Sequence, residues 1–72
     1  MIKTIMQWCT TQFAPGILQY NRVPEGLKIT DQTGASMNLT ADQEHNIYEL
    51  LPDGSRKQLS IWTGFSWKNL PY

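Results

Sequence analysis

Apolar and polar positions alternate in short runs along this chain. Leu27-Lys28-Ile29-Thr30 alternates cleanly, Met37 and Leu39 share a face of Ala35-Ser36-Met37-Asn38-Leu39-Thr40, and Leu59 and Ile61 share one of Arg56-Lys57-Gln58-Leu59-Ser60-Ile61-Trp62. A period of two marks a strand with one face turned to a core. Ile17-Leu18-Gln19-Tyr20-Asn21-Arg22-Val23 and Ile47-Tyr48-Glu49-Leu50-Leu51 also suit strands. The N-terminal stretch reads the same way, with Ile2, Thr4, Met6 and Trp8 on one side. Ala14-Pro15-Gly16 separates the first run from the second, and the polar segment 41–46 separates the fourth from the fifth.

Three tetrapeptides punctuate these runs: Val23-Pro24-Glu25-Gly26, Asp31-Gln32-Thr33-Gly34 and Leu51-Pro52-Asp53-Gly54. Proline at the second position presets a type I turn, aspartate at the first can bond nearby backbone, and glycine at the fourth accepts the left-handed conformation. Such units close β-hairpins. The expectation is a mainly β protein, a small antiparallel meander or partly closed barrel of five to six short strands, with residues 1–72 forming a single small domain.

A helical reading competes for the second half. Thr40 with Gln43, and Ser55 with Gln58, have capping-box spacing. Helices over 41–51 and 56–63, with a third beginning at Trp67, would follow, giving an α+β protein with a C-terminal helix-turn-helix. On that reading Leu59-Ser60-Ile61-Trp62-Thr63-Gly64-Phe65-Ser66 resembles the helix-turn-helix of the resolvase and invertase recombinases. The resemblance covers about the last 30 residues and implies DNA binding by residues 55–72, with Lys68 and Asn69 as contacts. Pro71 departs from it, because proline inside a recognition helix costs about 3 kcal/mol. The Leu51–Gly54 turn favours the hairpin.

Composition narrows the function. A 72-residue chain buries roughly 60% of the surface its unfolded form exposes, so its core is thin. With one cysteine, Cys9, and one histidine, His45, it has no intrachain disulfide and no structural zinc set. Domains without such staples often gain stability by docking or self-association. Six basic and six acidic residues cancel, which counts against nucleic acid as the leading partner. No apolar stretch approaches the roughly 18 residues of a membrane span, and no signal peptide is evident; a cytoplasmic protein is expected.

Chemistry is sparse. Asp42, Glu44, His45 and Glu49 form one titratable cluster, read as a solvated polar turn rather than a metal or proton-transfer site. Cys9 follows Trp8 in an apolar stretch and reads as a small buried hydrophobe. No glycine-rich phosphate loop or nucleophile elbow occurs. Catalysis, a metal and a cofactor are not expected.

The segment Ile61–Tyr72 is rich in aromatic residues. It suggests a partner-binding face made by Trp62, Phe65, Trp67, Lys68 and Tyr72, since Trp and Tyr are enriched at interface hot spots. Arg22, Lys28, Arg56 and Lys57, interleaved with Tyr20 and Tyr48, are the contacts of a lesser alternative, a single-stranded nucleic-acid platform. The expected function is that of a small non-catalytic accessory protein. Compact bacterial and phage proteins that modulate a larger protein partner, or self-assemble as homo-oligomers, have this composition.

Overall fold

The computed structural model describes residues 1–14 and 16–71. One helix, α1 (Ile2–Gln12), precedes six strands: β1 (Gln19–Val23), β2 (Gly26–Thr30), β3 (Ser36–Ala41), β4 (Ile47–Leu50), β5 (Arg56–Trp62) and β6 (Trp67–Asn69). The strands form one antiparallel sheet in sequence order. It is a meander, open between β1 and β6 rather than closed into a barrel.

The N-terminal segment is a helix, not the strand expected from its alternation. As a strand it would leave Ile5 and Cys9 on the solvent side and turn the polar Thr4 inward. As a helix it places Ile2, Ile5, Trp8 and Cys9 along one stripe. Ile5, Trp8 and Cys9 are buried accordingly. The Ile5 amide donates to the Met1 carbonyl at 3.1 Å and the Phe13 amide to that of Cys9 at 2.9 Å, after which Phe13 is extended.

Two of the turns follow their expected grammar. Gly34 and Gly54 have φ of 89° and 88°, and each closes a loop whose ends bond at 2.9 Å, Asp31 N–H to Ala35 carbonyl and Leu51 N–H to Ser55 carbonyl. The Val23–Gly26 turn differs, because Gly26 is not left-handed and already opens β2 opposite Val23. Its glycine answers to crowding: a Cβ there would collide with the Leu39 carbonyl oxygen.

A bulge in the β4–β5 pairing sets Ser60 opposite Ile47 and Gln58 opposite Tyr48, with Leu59 as the extra residue. It resets the strand's phase. Leu59 packs against the core whereas Ile61 is 40% exposed, so the two do not share the buried face that simple alternation assigns them. Trp62 turns to the core side instead.

Residues 56–69 form a β-hairpin, and the helix-turn-helix is not formed. Trp62 pairs with Trp67 across a tight turn in which the Thr63 amide donates to the Ser66 carbonyl at 2.9 Å and Gly64 has φ 103°. Likewise 41–51 is a strand end, a turn and β4. Extended pairing joins the backbone of 47–50 and 56–62 to each other and to β3 and β6, and the Asp53–Ser55 and Thr63–Ser66 bonds fix the turns that connect the strands.

One face of the sheet is covered by α1. Leu27 pairs with Leu39, Ile29 with Met37 and Ala41 with Ile47, and these inward side chains meet Ile5, Trp8 and Cys9 in one cluster.

Candidate functional site

The β5–β6 hairpin carries an aromatic surface supported from behind by the β3–β4 turn. Trp62 and Trp67, directly opposite one another, hold their rings 4.6 Å apart at 56°. His45 stands edge-on to Trp62 at 6.0 Å. The Trp67 indole N–H donates to the His45 carbonyl at 2.7 Å, and the Trp62 amide donates to Asn46 Oδ1 at 3.0 Å. Both tryptophans are half-buried, and Trp67 packs against the core.

Asp42 organises that turn. Its Oδ1 accepts from the amides of Glu44 and Asn46, each at 2.9 Å. Its Oδ2 accepts from Asn46 Nδ2 at 3.0 Å and the Tyr48 hydroxyl at 2.8 Å. Desolvation pushes the Asp42 carboxyl up, but the bonds from Asn46, Tyr48 and Glu44 outweigh it and hold it below the usual carboxylate range. The bonds also fix His45 at φ 66°, and its Nδ1 is hydrogen-bonded to Thr4 Oγ1 on α1 at 3.2 Å. Asp42 is thus a structural acceptor. Glu49 lies apart on β4, opposite Leu39 and Lys57, and no group of three or more His, Cys, Asp or Glu able to hold a metal occurs among the described residues.

Beside the tryptophans runs an open groove of about 340 Å³ lined by Thr11, Gln12, Trp62, Phe65, Ser66 and Trp67. Hydrogen bonds pass from Ser60 Oγ to Asn69 Oδ1 at 3.0 Å, from Asn69 Nδ2 to Gln12 Oε1 at 2.8 Å and from Gln12 Nε2 to Thr11 Oγ1 at 2.9 Å. They tie the end of α1 to β6. Phe65 projects from the hairpin tip, 94% exposed. The tip is ordered by Thr63, whose Oγ1 accepts from the Ser66 amide at 3.2 Å and the Phe65 amide at 3.4 Å.

Of the residues singled out from sequence, Trp62, Phe65 and Trp67 come together here. Lys68 pairs with Ile61 and so lies on the sheet face opposite the tryptophans. Tyr72 lies outside the described residues. The sequence reading missed Asn46 and Gln12 and gave Asn69 only as a DNA contact, whereas all three form part of the surface's support; polar residues distant along the chain carry no local signal of such a role.

The basic residues do not gather. Arg22, opposite Leu27, is on the helix side, whereas Lys28, opposite Asn21, is on the other. Arg56 and Lys57 are consecutive in β5 and diverge likewise; the Arg56 guanidinium lies 5.8 Å from the centre of the Tyr48 ring. Cys9 is buried, and burial pushes its thiol up to about 11, away from nucleophilic use at neutral pH.

No family model, curated protein or solved structure matches this chain. No helix among the described residues is long and apolar enough to cross a membrane.

Proposed function

We propose that this protein is a non-catalytic binding module whose β5–β6 hairpin docks on a larger protein partner, with Phe65 as the inserted anchor and Trp62 and Trp67 as the flanking wall. One observation carries the proposal: a phenyl ring is 94% exposed on a tip whose backbone is fixed by hydrogen bonds. An ordered, protruding aromatic ring gives up little conformational freedom on burial, so more of its transfer free energy goes into binding. Association with a second copy uses the same surface and is the alternative occupant. A cytoplasmic setting suits the single buried thiol, which has no disulfide partner in the chain.

The test places a photo-crosslinking phenylalanine analogue at position 65 in the cells that produce the protein, with the same analogue at Thr33, on another exposed turn, as control. A discrete adduct from position 65 and none from position 33 is expected. Sedimentation equilibrium of the purified chain then separates a foreign partner from self-association. Equal labelling from both positions, or none from 65, overturns the proposal.

A further inference from the structure

The two edges of the sheet are unlike. β6 has three residues and Pro71 soon follows it, a residue with no amide hydrogen to offer an incoming strand. β1 has five residues, Gln19–Val23, with a single charge, and Pro24 after it lies in the turn to β2 and leaves all five amides in place. Its hydrogen-bond phase is set by the neighbouring hairpin. The Asp31 amide donates to the Ala35 carbonyl, so the backbone of Leu27 and Ile29 turns towards β3 and that of Gly26, Lys28 and Thr30 towards β1. Their partners Val23, Asn21 and Gln19 take up those bonds. The amides and carbonyls of Tyr20 and Arg22 are therefore directed outwards from the free edge.

The side chains of Tyr20 and Arg22 lie opposite Ile29 and Leu27, on the face that α1 covers. The helix packs over β2 and β3 and leaves beside β1 an open groove of about 490 Å³, lined chiefly by Ile2, Lys3, Met6, Gln7, Tyr20 and Arg22. Met6 is 41% and Tyr20 38% exposed. Both charges in the lining are positive, and no carboxylate lines it.

We propose that the β1 edge and this groove form a second docking site, which takes an extended acidic peptide segment of another protein as an additional strand. The incoming backbone pairs with Tyr20 and Arg22. Every second side chain of the incoming strand turns to the groove; among these, apolar ones rest on Ile2, Met6 and Tyr20, and carboxylates reach Lys3 and Arg22. A second copy of this chain fits poorly, because pairing β1 with β1 about a two-fold axis brings two Arg22 and two Lys3 together with no carboxylate between them. Single-stranded nucleic acid would meet the charges but leave the outward amides and carbonyls unused. The site is at the opposite edge of the sheet from the tryptophan pair and is independent of the function proposed for that hairpin.

The probe is a short peptide of Thr-Val-Thr-Glu repeats, which presents valine and glutamate in turn on one face when extended, added to the isotopically labelled full chain. Hydrogen exchange at the Tyr20 and Arg22 amides is expected to slow by at least about tenfold at saturation. Lys3→Glu and Arg22→Glu are each expected to weaken binding by about tenfold. Both positions are exposed, and an acidic residue in the first helical turn suits the helix dipole, so the variants keep the fold. A peptide N-methylated along its pairing edge is expected not to bind. The proposal is overturned by any of three results: no protection at millimolar peptide, equal binding of the N-methylated peptide or of one with lysine for glutamate, or stronger occupation of the groove by oligothymidylate than by the acidic peptide.

Discussion

Asp42 shows how one side chain can set the position of a distant surface. Its four accepted bonds hold Asn46 and His45, which in turn hold Trp62 and Trp67. A carboxyl whose folded pKa is depressed contributes stability that is complete above its unfolded value, about 3.9, and is lost as pH falls through the folded value. Asp31 and Asp53 are shifted the same way, chiefly by the side-chain hydroxyls of Thr33 and Ser55. Urea unfolding should therefore show stability declining below about pH 4. Asp42→Asn, which turns a donor towards Asn46 and Tyr48, should cost about 1–2 kcal/mol at pH 7, and its deficit should shrink as the pH drops into that window. A deficit independent of pH would mean that the charge on Asp42 is irrelevant. At the hairpin, Phe65→Ala should leave stability within about 0.5 kcal/mol, since the ring is solvent-exposed. Trp67→Ala should cost about 3 kcal/mol through lost packing and its lost bond to His45. Thermal melts of the two variants check this, and they make Phe65 rather than Trp67 the clean position for binding tests. The sequence marked the aromatic residues but not this difference, because exposure of Phe65 depends on a four-residue turn whose bonds come from Thr63.

At the scale of elements, local periodicity succeeded where strands were flanked by strong turns and failed where two periods fitted the same residues. β2 to β5 were legible because alternation and the turns at 31–34 and 51–54 agree. The first eleven helical residues satisfy both a period of two, through Ile2, Thr4, Met6 and Trp8, and a helical stripe, through Ile2, Ile5, Trp8 and Cys9. Counting buried apolar groups decides between them, because the strand strands Ile5 and Cys9 in water. An eleven-residue helix is marginal by itself, so α1 owes its stability to the core it covers. The variants Ile5→Ala and Met6→Ala separate the periods directly. Ile5→Ala should cost about 3 kcal/mol, whereas Met6→Ala should stay within about 0.5 kcal/mol; the reverse order in denaturant titrations would restore the strand. β6 escaped notice for a different reason. Three residues give too little alternation to register, and the bulge at Leu59 reversed the phase of the strand before it.

The whole molecule is a sheet with one face covered by one helix, so its cooperativity must pass through α1. Ile5, Trp8 and Cys9 supply the side of the core that faces Leu27, Ile29, Leu39, Ala41 and Ile47. No disulfide closes any loop, since Cys9 is the only cysteine. Removing residues 1–13 would bare a contiguous apolar patch across β2, β3 and β4, the kind of surface that soluble monomers rarely expose. It would also cut the bonds from Thr4 to His45 and from Asn69 to Gln12, loosening the tryptophan hairpin at both ends. The truncated chain should show no cooperative thermal transition and should associate, as read by circular dichroism and light scattering. A synthetic peptide of residues 1–13, added in excess, should restore the transition, because the sheet's register is set by its own turns and lacks only a covered face. A sharp transition in the truncated chain without the peptide would show that the sheet folds alone and that α1 is an ornament on it.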